Sequence, residues 1–220
     1  MDTTVKAPAV HQGSLAEQAY RAIRDRLILL EIRPGEPINE DALTRSLEVG
    51  RTPVREALKR LASERLVVAY PRRGTFATDV NIADLRHISE VRHSLEPLGA
   101  AAAAERATDA DRGRLDALLG ELSDADGTRA SDELMRLDLR AHRAVYDCTH
   151  NPFLQDTLVR YDNLATRIWC VFLPRLSGMT GHVAEHVPLV AAILDGFPDK
   201  ARQLAEEHVS GFEQSIRALV

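Results

Sequence analysis

The sequence predicts a mainly α-helical fold, in which an N-terminal winged helix-turn-helix is joined to a C-terminal all-helical bundle. Three observations support this prediction. Two short helical patterns lie a few residues apart and are followed by a strand, a turn and a return strand. From residue 81 onward, apolar residues recur at helical spacing between Gly or Pro breaks, with N-caps expected at Asn81, Thr108, Ser131 and Asn151 and a kink allowed at Pro97. The chain is 45% apolar but only 5% aromatic, a composition that favours a helical core.

Breaks in these patterns divide the 220 residues into three segments. We expect a disordered tail at residues 1–12, a winged helix-turn-helix DNA-binding domain at residues 13–80, and a helical effector-binding and dimerisation domain at residues 81–220. Residues 1–78 hold 13 Lys/Arg and 10 Asp/Glu, whereas the remainder holds 15 and 23. A basic N-terminal part joined to an acidic C-terminal part indicates a DNA-reading module attached to a module of another kind.

A capping box over residues 14–17 predicts the start of the first helix. Its apolar residues share one face: Leu15, Ala19, Ile23, Leu27 and Leu30. Pro34-Gly35 then turns the chain toward the helix-turn-helix. We expect this first helix to pack behind the next two helices and to contact no bases.

The stretch from Val49 to Leu61 predicts a short helix with one apolar and one basic face. The apolar residues recur at spacings of four and three: Val54, Leu58 and Leu61. The basic residues recur every four positions: Arg51, Arg55 and Lys59. Pro53 fits only in the first turn, so the helix begins near Arg51. Guanidinium groups and short donors at such an end suit a DNA major groove, although an ordinary surface helix with solvated arginines has the same pattern.

The flanking segments favour DNA binding over that alternative. Upstream, residues 39–47 predict a second short helix, and the close spacing of the two helices is typical of a helix-turn-helix. Downstream, residues 66–70 and 75–78 predict two strands around a turn with arginines at its tip. We therefore expect DNA contacts from eight residues: Arg45, Arg51, Thr52, Pro53, Arg55, Arg72, Arg73 and Gly74.

Residues 39–80 resemble the winged helix-turn-helix of GntR-family bacterial transcription regulators. The stretch Arg-Thr-Pro-Val-Arg-Glu-Ala-Leu at positions 51–58 carries the most specific part of the resemblance. Three positions depart from the family pattern. Glu48 stands where a turn glycine is usual, Gly50 where a serine is usual, and Arg65 where a helix-ending glycine is usual.

A second group of candidate residues falls in the expected bundle. Asp138 and His142 are four residues apart on one helix face, and His186 and His208 fall on two further helices. One carboxylate and three imidazoles converging inside a bundle suit a divalent transition metal, zinc first, with nickel or manganese as alternatives. Since the chain has eight histidines, scattered solvated histidines are the competing interpretation. Five of them fit no site pattern: His11, His87, His93, His150 and His182.

Residues 82–212 resemble the FCD domain, the helical effector module of a large GntR subfamily, the FadR-like regulators. The matching positions are 90–92, 95–96, 138–142, 151–154, 185–186 and 205–208. The resemblance places the metal ligands of that domain on the four residues above, and it implies a small carboxylate effector held beside the metal. Arginine pairs with carboxylates through two parallel hydrogen bonds, so we expect Arg92 and then Arg140 to bind the effector, with Arg143 and Arg167 as further candidates.

Together these features predict a ligand-responsive repressor that binds a palindromic DNA operator as a homodimer. One alternative is a metal-dependent enzyme with a DNA-binding appendage, and another is an architectural DNA binder whose bundle only dimerises. The sequence has no HExxH motif and no general base beside the candidate ligands, which argues against the enzyme. Cys148 and Cys170 form no CxxC motif, and no signal peptide or membrane-length apolar run is present, so we expect a cytoplasmic protein.

Overall fold

The structure is a computed structural model that describes residues 13–175 and 179–219. The described chain divides into two compact units, the first ending at Asp79 and the second beginning at Val80. The mainly helical fold, with a winged helix-turn-helix followed by a helical domain, is confirmed. The tail expected at residues 1–12 lies outside the described residues. No helix in the described ranges combines the length and the apolar character that crossing a bilayer requires.

The described part of the first unit contains three helices and one hairpin. They are α1 (Leu15–Ile28), α2 (Glu40–Leu47), α3 (Arg51–Ser63), β1 (Val67–Tyr70) and β2 (Gly74–Ala77). The strands are antiparallel, with Val67 opposite Ala77 and Tyr70 opposite Gly74. An isolated bridge between Pro37 and Phe76 attaches the α1–α2 connection to this hairpin. The helix-turn-helix and the wing are thus joined by backbone hydrogen bonds as well as by side-chain packing.

Helix α1 packs against α3 through an inward face that the sequence predicts only in part. Ala19, Ile23 and Leu27 are buried as expected. Leu15 is 54% exposed, because it lies in the first turn, where the helix begins at its Ser14 cap. Leu30 lies beyond the end of the helix, in a left-handed conformation. The inward face is completed by two other residues, Tyr20 and Ile28.

Only half of the predicted capping box of α1 forms. The Ser14 Oγ accepts a hydrogen bond from the backbone N–H of Glu17 at 3.2 Å. The Glu17 carboxylate forms ion pairs with Arg21 and Arg60. The long-range pair with Arg60 connects α1 to α3, so this carboxylate contributes to tertiary structure.

The second unit, as far as the structure describes it, is a bundle of seven α-helices with one short 3-10 turn. The helices are α4 (Asp84–Arg106), α5 (Asp109–Ser123), α6 (Ser131–Asp147), α7 (Pro152–Phe172), α8 (Met179–Ala184), α9 (His186–Leu194) and α10 (Pro198–Arg217). The 3-10 turn, Leu173–Arg175, follows α7. Helix α4 makes the most extensive packing contacts of the bundle, mainly with α10 and α7.

Small residues let α4 lie close to its neighbours. The run Ala100–Ala104 is buried, and a side chain on Gly99 would lie 2.8 Å from Leu158 of α7. The helix continues through Pro97, where the sequence allowed a kink. It begins at Asp84, after a turn in which the Asn81 side chain accepts a hydrogen bond from the Ala83 backbone. The N-cap expected at Asn81 is therefore replaced by a preceding turn.

Two of the predicted caps of the later helices form as expected. Thr108 and Asp111 make a complete capping box at the start of α5. Asn151 accepts hydrogen bonds from the backbone N–H groups of Phe153 and Leu154, and Pro152 is the first residue of α7. Ser131, expected as a cap, is instead the first helical residue of α6.

Two of the departures from the GntR pattern lie at left-handed backbone positions. Glu48 has a φ of 54° at the end of α2, and Arg65 has a φ of 64° just after α3. The left-handed conformation costs a residue with a side chain about 1–2 kcal/mol, which explains why glycine is usual there. Gly50 caps α3 with a φ of −70° and, lacking a side chain, makes no cap hydrogen bond.

We expect Glu48→Gly to stabilise the protein. Relief of the left-handed strain exceeds the entropy cost of glycine, for a net gain of about 0.5–1 kcal/mol. Equilibrium urea unfolding of the full chain, followed by circular dichroism, should show a higher midpoint. Glu56→Gly is the matched control, because Glu56 is exposed inside α3, where glycine costs about 1 kcal/mol. An unchanged or lower midpoint for Glu48→Gly would contradict the strain at this turn.

Candidate functional site

The first unit exposes the residues expected to contact DNA. Of the eight, seven are exposed and only Pro53, in the first turn of α3, is half-buried. At the wing tip, the guanidinium carbon of Arg73 lies 5.7 Å from the ring centre of Tyr70 and 5.9 Å from that of Phe76. Arg72 and Gly74 both have positive φ, which forms the tight turn that presents these arginines. All eight residues are available to a ligand.

Acidic residues in the first turn of α2 form ion pairs with Arg51 and Arg55 of α3. Arg51 Nη2 lies 3.1 Å from Asp41 Oδ1, and Arg55 Nε lies 2.9 Å from Glu40 Oε2. Both arginine side chains are more than 60% exposed in these pairs. Exposed ion pairs contribute only about 0–1 kcal/mol, so phosphate or base edges can replace the carboxylates.

The second unit brings together the four residues expected to bind a metal. Asp138 and His142 lie on α6, His186 on α9 and His208 on α10, and all four are buried. One donor atom from each lies within 4.8 Å of the others. His142 Nε2 is 3.3 Å from His208 Nε2 and 4.0 Å from Asp138 Oδ2. Ligands bound at about 2.0–2.2 Å to one ion have separations of this order.

The hydrogen bonding of this quartet fits a metal ion. Within the described ranges, neither buried ring nitrogen of His186 has a partner in hydrogen-bonding geometry, and the same holds for the buried Asp138 Oδ1. Leaving a buried polar atom unsatisfied costs about 1–3 kcal/mol, so three such atoms in one cluster need an explanation. A divalent cation accounts for them, because imidazole nitrogen and carboxylate oxygen are the donors that such ions take.

Burial keeps these imidazoles in the form that binds metals. Desolvation and neighbouring imidazoles lower the pKa of His142 and His208 well below the ordinary value. Desolvation also lowers the pKa of His186, although the Asp138 carboxylate opposes the shift. Burial has the opposite effect on a carboxyl group and raises the pKa of Asp162 to about 7. At neutral pH the three histidines are therefore neutral and can donate a lone pair.

Glu185 orients one of the histidines of the quartet. Its Oε2 lies 2.8 Å from His208 Nδ1 and 3.6 Å from His182 Nδ1. When His208 donates its Nδ1–H to Glu185, its Nε2 is left with a lone pair facing His142. Such carboxylate–histidine contacts fix the tautomer and orientation of metal ligands. Glu185 therefore matches the role of an outer-shell partner.

His182, which fits no site pattern in the sequence, also belongs to this cluster. Its Nε2 lies 3.5 Å from Asp138 Oδ1, and its ring stacks on those of Trp169 and His208. The available sequence signal was the spacing of four between His182 and His186. Neither Glu185 nor His182 could be assigned from spacing alone, because two helices, α8 and α9, divide this stretch.

A buried hydrogen-bond chain connects His142 to Arg92. His142 Nδ1 lies 3.1 Å from the Tyr146 hydroxyl, which donates to Glu96 Oε1 at 2.6 Å. Arg92 Nε donates to the same oxygen at 3.0 Å. Arg92 is 3% exposed. The residue that we expect to bind the effector is thus coupled to a candidate metal ligand.

The other candidate arginines lie elsewhere. Arg140 has a side chain that is 55% exposed and pairs with Glu121, so the structure does not bring it to the quartet. Arg143 donates to Asn163 Oδ1 at 2.7 Å. Arg167 is buried on α7. None of these three lines the cavity beside the quartet, whereas Arg92 does.

A cavity of about 10 Å³ lies against the quartet. Its polar lining residues are Arg92, Asp138, His142, Asp162, Thr166 and His182. Its apolar and aromatic lining residues are Met135, Trp169 and Phe212. A space of this size holds about one water molecule, so a larger ligand requires part of the wall to move outward.

Comparison with known proteins identifies both units. The family model described as bacterial regulatory proteins, gntR family, matches residues 15–77, and that of the FCD domain matches residues 87–211. The chain is 24% identical to the HTH-type transcriptional repressor RspR of Escherichia coli over 92% of the chain and 89% of that protein. It is 31% identical to the galactonate operon transcriptional repressor of Escherichia coli over 84% of the chain and 90% of that protein. Among solved structures, E. coli McbR/YncC superposes with a TM-score of 0.80 at 21% identity, over 94% of this chain and 99% of that one, and shows the same fold.

We expect the metal-free protein to lose stability as the pH falls below about 6.5. The buried imidazoles have lowered pKa values, so below that pH the unfolded chain binds more protons than the folded chain, and the free energy of unfolding falls. Urea unfolding of EDTA-treated protein from about pH 7.5 to about pH 5.5 measures this. His142→Gln should lose part of the acid sensitivity, whereas the exposed-site control His87→Gln should keep it all. If the free energy of unfolding depended on pH equally in the parent and in His142→Gln, the acid sensitivity could not be assigned to His142.

Proposed function

The chain belongs to the GntR family of bacterial transcription regulators and carries an FCD domain, and from this premise we propose that it is a metal-containing repressor that responds to a small organic acid. The family and the relatives named above are transcription regulators, not enzymes. The observation that supports the sensing role best is the buried quartet, in which neither ring nitrogen of His186 has a partner in hydrogen-bonding geometry among the described residues. A repressor that only bound DNA would not need such a group.

For DNA binding, we propose that α3 enters the major groove and that the wing contacts the backbone or the minor groove. Arg51 and Arg55 are exposed at the start of α3, where their carboxylate partners can be replaced. A single helix-turn-helix covers few base pairs, so a homodimer on a palindromic operator gives useful selectivity.

For metal binding, the four residues of the quartet supply three nitrogen donors and one oxygen donor from three helices. This donor set suits zinc, with nickel or manganese as alternatives. A bound ion would supply a Lewis acid that attracts a carboxylate effector. The protein supplies the orientation of its ligands through Glu185 and Tyr146, and it supplies a cation in Arg92.

The organic-acid class is supported by the cavity and by one relative. The cavity combines the quartet with the buried guanidinium of Arg92, and both attract a carboxylate. One relative is the galactonate operon transcriptional repressor of Escherichia coli, and galactonate is a hydroxylated carboxylate. Arg92 lies on α4, the first helix after the unit boundary at Val80. A ligand that binds Arg92 therefore acts directly on the helix that follows this boundary in the sequence.

We expect Arg55→Ala to weaken specific DNA binding. Loss of a bidentate base contact costs about 1–3 kcal/mol and relaxes selectivity at one base pair. The measurement is fluorescence anisotropy at physiological salt, on the duplex that the parent selects from a randomised library. Arg21→Ala is the control, since Arg21 is an exposed arginine of α1 that pairs with Glu17. Parent-like affinity of Arg55→Ala would refute the role of α3.

We expect purified parent protein to contain a stoichiometric divalent ion and His186→Ala to lack it. Glu185→Gln should retain the site but bind the metal roughly 10- to 100-fold more weakly, because His208 loses its carboxylate partner. Elemental analysis and competition with a chelating dye measure these effects, with His87→Gln as the control. Parent protein that is metal-free, and that gains no stability when zinc, nickel or manganese is added, would rule out the metal centre.

A further inference from the structure

Asp162 presents an unsatisfied acceptor at the effector cavity. It lies on α7, is 1% exposed and lines the cavity beside the quartet. Its Oδ2 is buried and has no hydrogen-bond partner, and its Oδ1 lies 3.9 Å from His142 Nε2. A buried carboxyl oxygen without a donor is costly, so its presence needs a reason in the function of the site.

The described residues around this cavity do not supply the missing donor. Arg92 and Arg143 both place positive charge near Asp162, but Arg92 Nε donates to Glu96 and Arg143 Nη2 donates to Asn163. Thr166, one turn along α7, lines the same cavity. Trp169 also lines it, and its indole Nε1 is a buried donor without a partner. Apart from Asp138 Oδ1, which belongs to the candidate metal quartet, the described wall therefore holds an unused acceptor on Asp162 and an unused donor on Trp169, an arrangement that favours a ligand with polar groups of both kinds.

These unused groups discriminate between classes of carboxylic acid. An unsubstituted aliphatic acid can occupy the metal and Arg92, but it leaves Asp162 without a donor. A dicarboxylic acid brings a second carboxylate, which only accepts hydrogen bonds and so supplies no donor to the ionised form of Asp162. A hydroxyl or ammonium group donates to Asp162 and removes the cost of burying it.

We propose that the effector is a carboxylic acid that also bears hydroxyl or ammonium donors, and that Asp162 is the residue that selects for those donors. This inference rests on the proposed function of the cavity as the site for an organic acid. Sites built to hydrogen-bond a ligand discriminate strongly against analogues that lack the group, because the protein atom is then left buried and unpaired. For one hydrogen bond to a buried carboxyl group, we expect a donor-bearing acid to bind roughly 10- to 100-fold more tightly than an analogue without the donor.

A panel of six-carbon acids tests the proposal. The metal-loaded full chain is titrated calorimetrically with hexanoate, adipate, 2-hydroxyhexanoate, gluconate and norleucine. The donor-bearing acids should include one that binds at least about tenfold more tightly than both hexanoate and adipate. The hydroxy acids and norleucine form separate arms that identify whether hydroxyl or ammonium is the donor. Release of the protein from its library-selected duplex provides a second readout.

Variants of Asp162 then assign the preference to this residue. Asp162→Leu should bind hexanoate at least as well as the parent and lose the preference for donor-bearing acids. Asp162→Asn keeps an acceptor oxygen but removes the negative charge, so it should lose affinity for norleucine more than for the hydroxy acids. Circular dichroism and metal content establish that both variants are folded and loaded, and Asn serves as the test if Leu fails to fold.

Three outcomes would overturn the inference, and they separate it from the proposed function. Hexanoate or adipate binding as tightly as the donor-bearing acids would reject the ligand class but leave organic-acid sensing in place. A preference that survives in both Asp162 variants would reject the role of Asp162 alone. Failure of every acid in the panel to bind the metal-loaded parent would reject both the inference and the proposed acid-sensing function.

Discussion

The second unit buries polar side chains that need a partner beyond its own helices. Asp138, His142, His186 and His208 come from three helices and meet where water is nearly excluded. Burying such groups without partners costs several kcal/mol in sum, and the ion that we propose at their centre would remove this cost. In that proposal, coordination to one ion would cross-link helices α6, α9 and α10. Glu185 and Tyr146 contact the candidate ligands His208 and His142, and would orient them for the ion.

The helices of this protein are well predicted from sequence because their signals are local. Caps such as Thr108 and Asn151, and the first-turn proline of α3, act within a few residues of the helix start. The proximity of the four candidate metal ligands could also be predicted, because the resemblance to a known domain selected them among many possible combinations, and the structure brings them together. The capping box of Ser14 and Glu17 forms only in part, because Arg60, 43 residues away, competes with the Ser14 backbone N–H for the Glu17 carboxylate.

What the sequence did not reveal depends on contacts between distant segments. Asp162 and Thr166 lie within a helix whose apolar residues predict an ordinary core face, and only the fold shows that they line a cavity. His182 sits on a short helix separate from that of His186, so a helical spacing rule gives no firm assignment there. Arg140 followed Arg92 as the second candidate cation for the effector. Only the fold separates them, since Arg92 is buried beside Glu96 and Arg140 pairs with Glu121 at the surface.

The ion pairs between α2 and α3 have a consequence for how binding depends on salt. In the free protein, Asp41 and Glu40 serve as built-in counterions for Arg51 and Arg55. In the proposed complex with DNA, phosphates would replace these carboxylates as partners of the arginines. The DNA would release condensed cations, but the two freed carboxylates would attract cations from solution in turn. Fewer ions are then released in total than the number of phosphate contacts implies. The affinity of this protein for DNA should therefore depend less steeply on salt concentration than its number of phosphate contacts alone would imply.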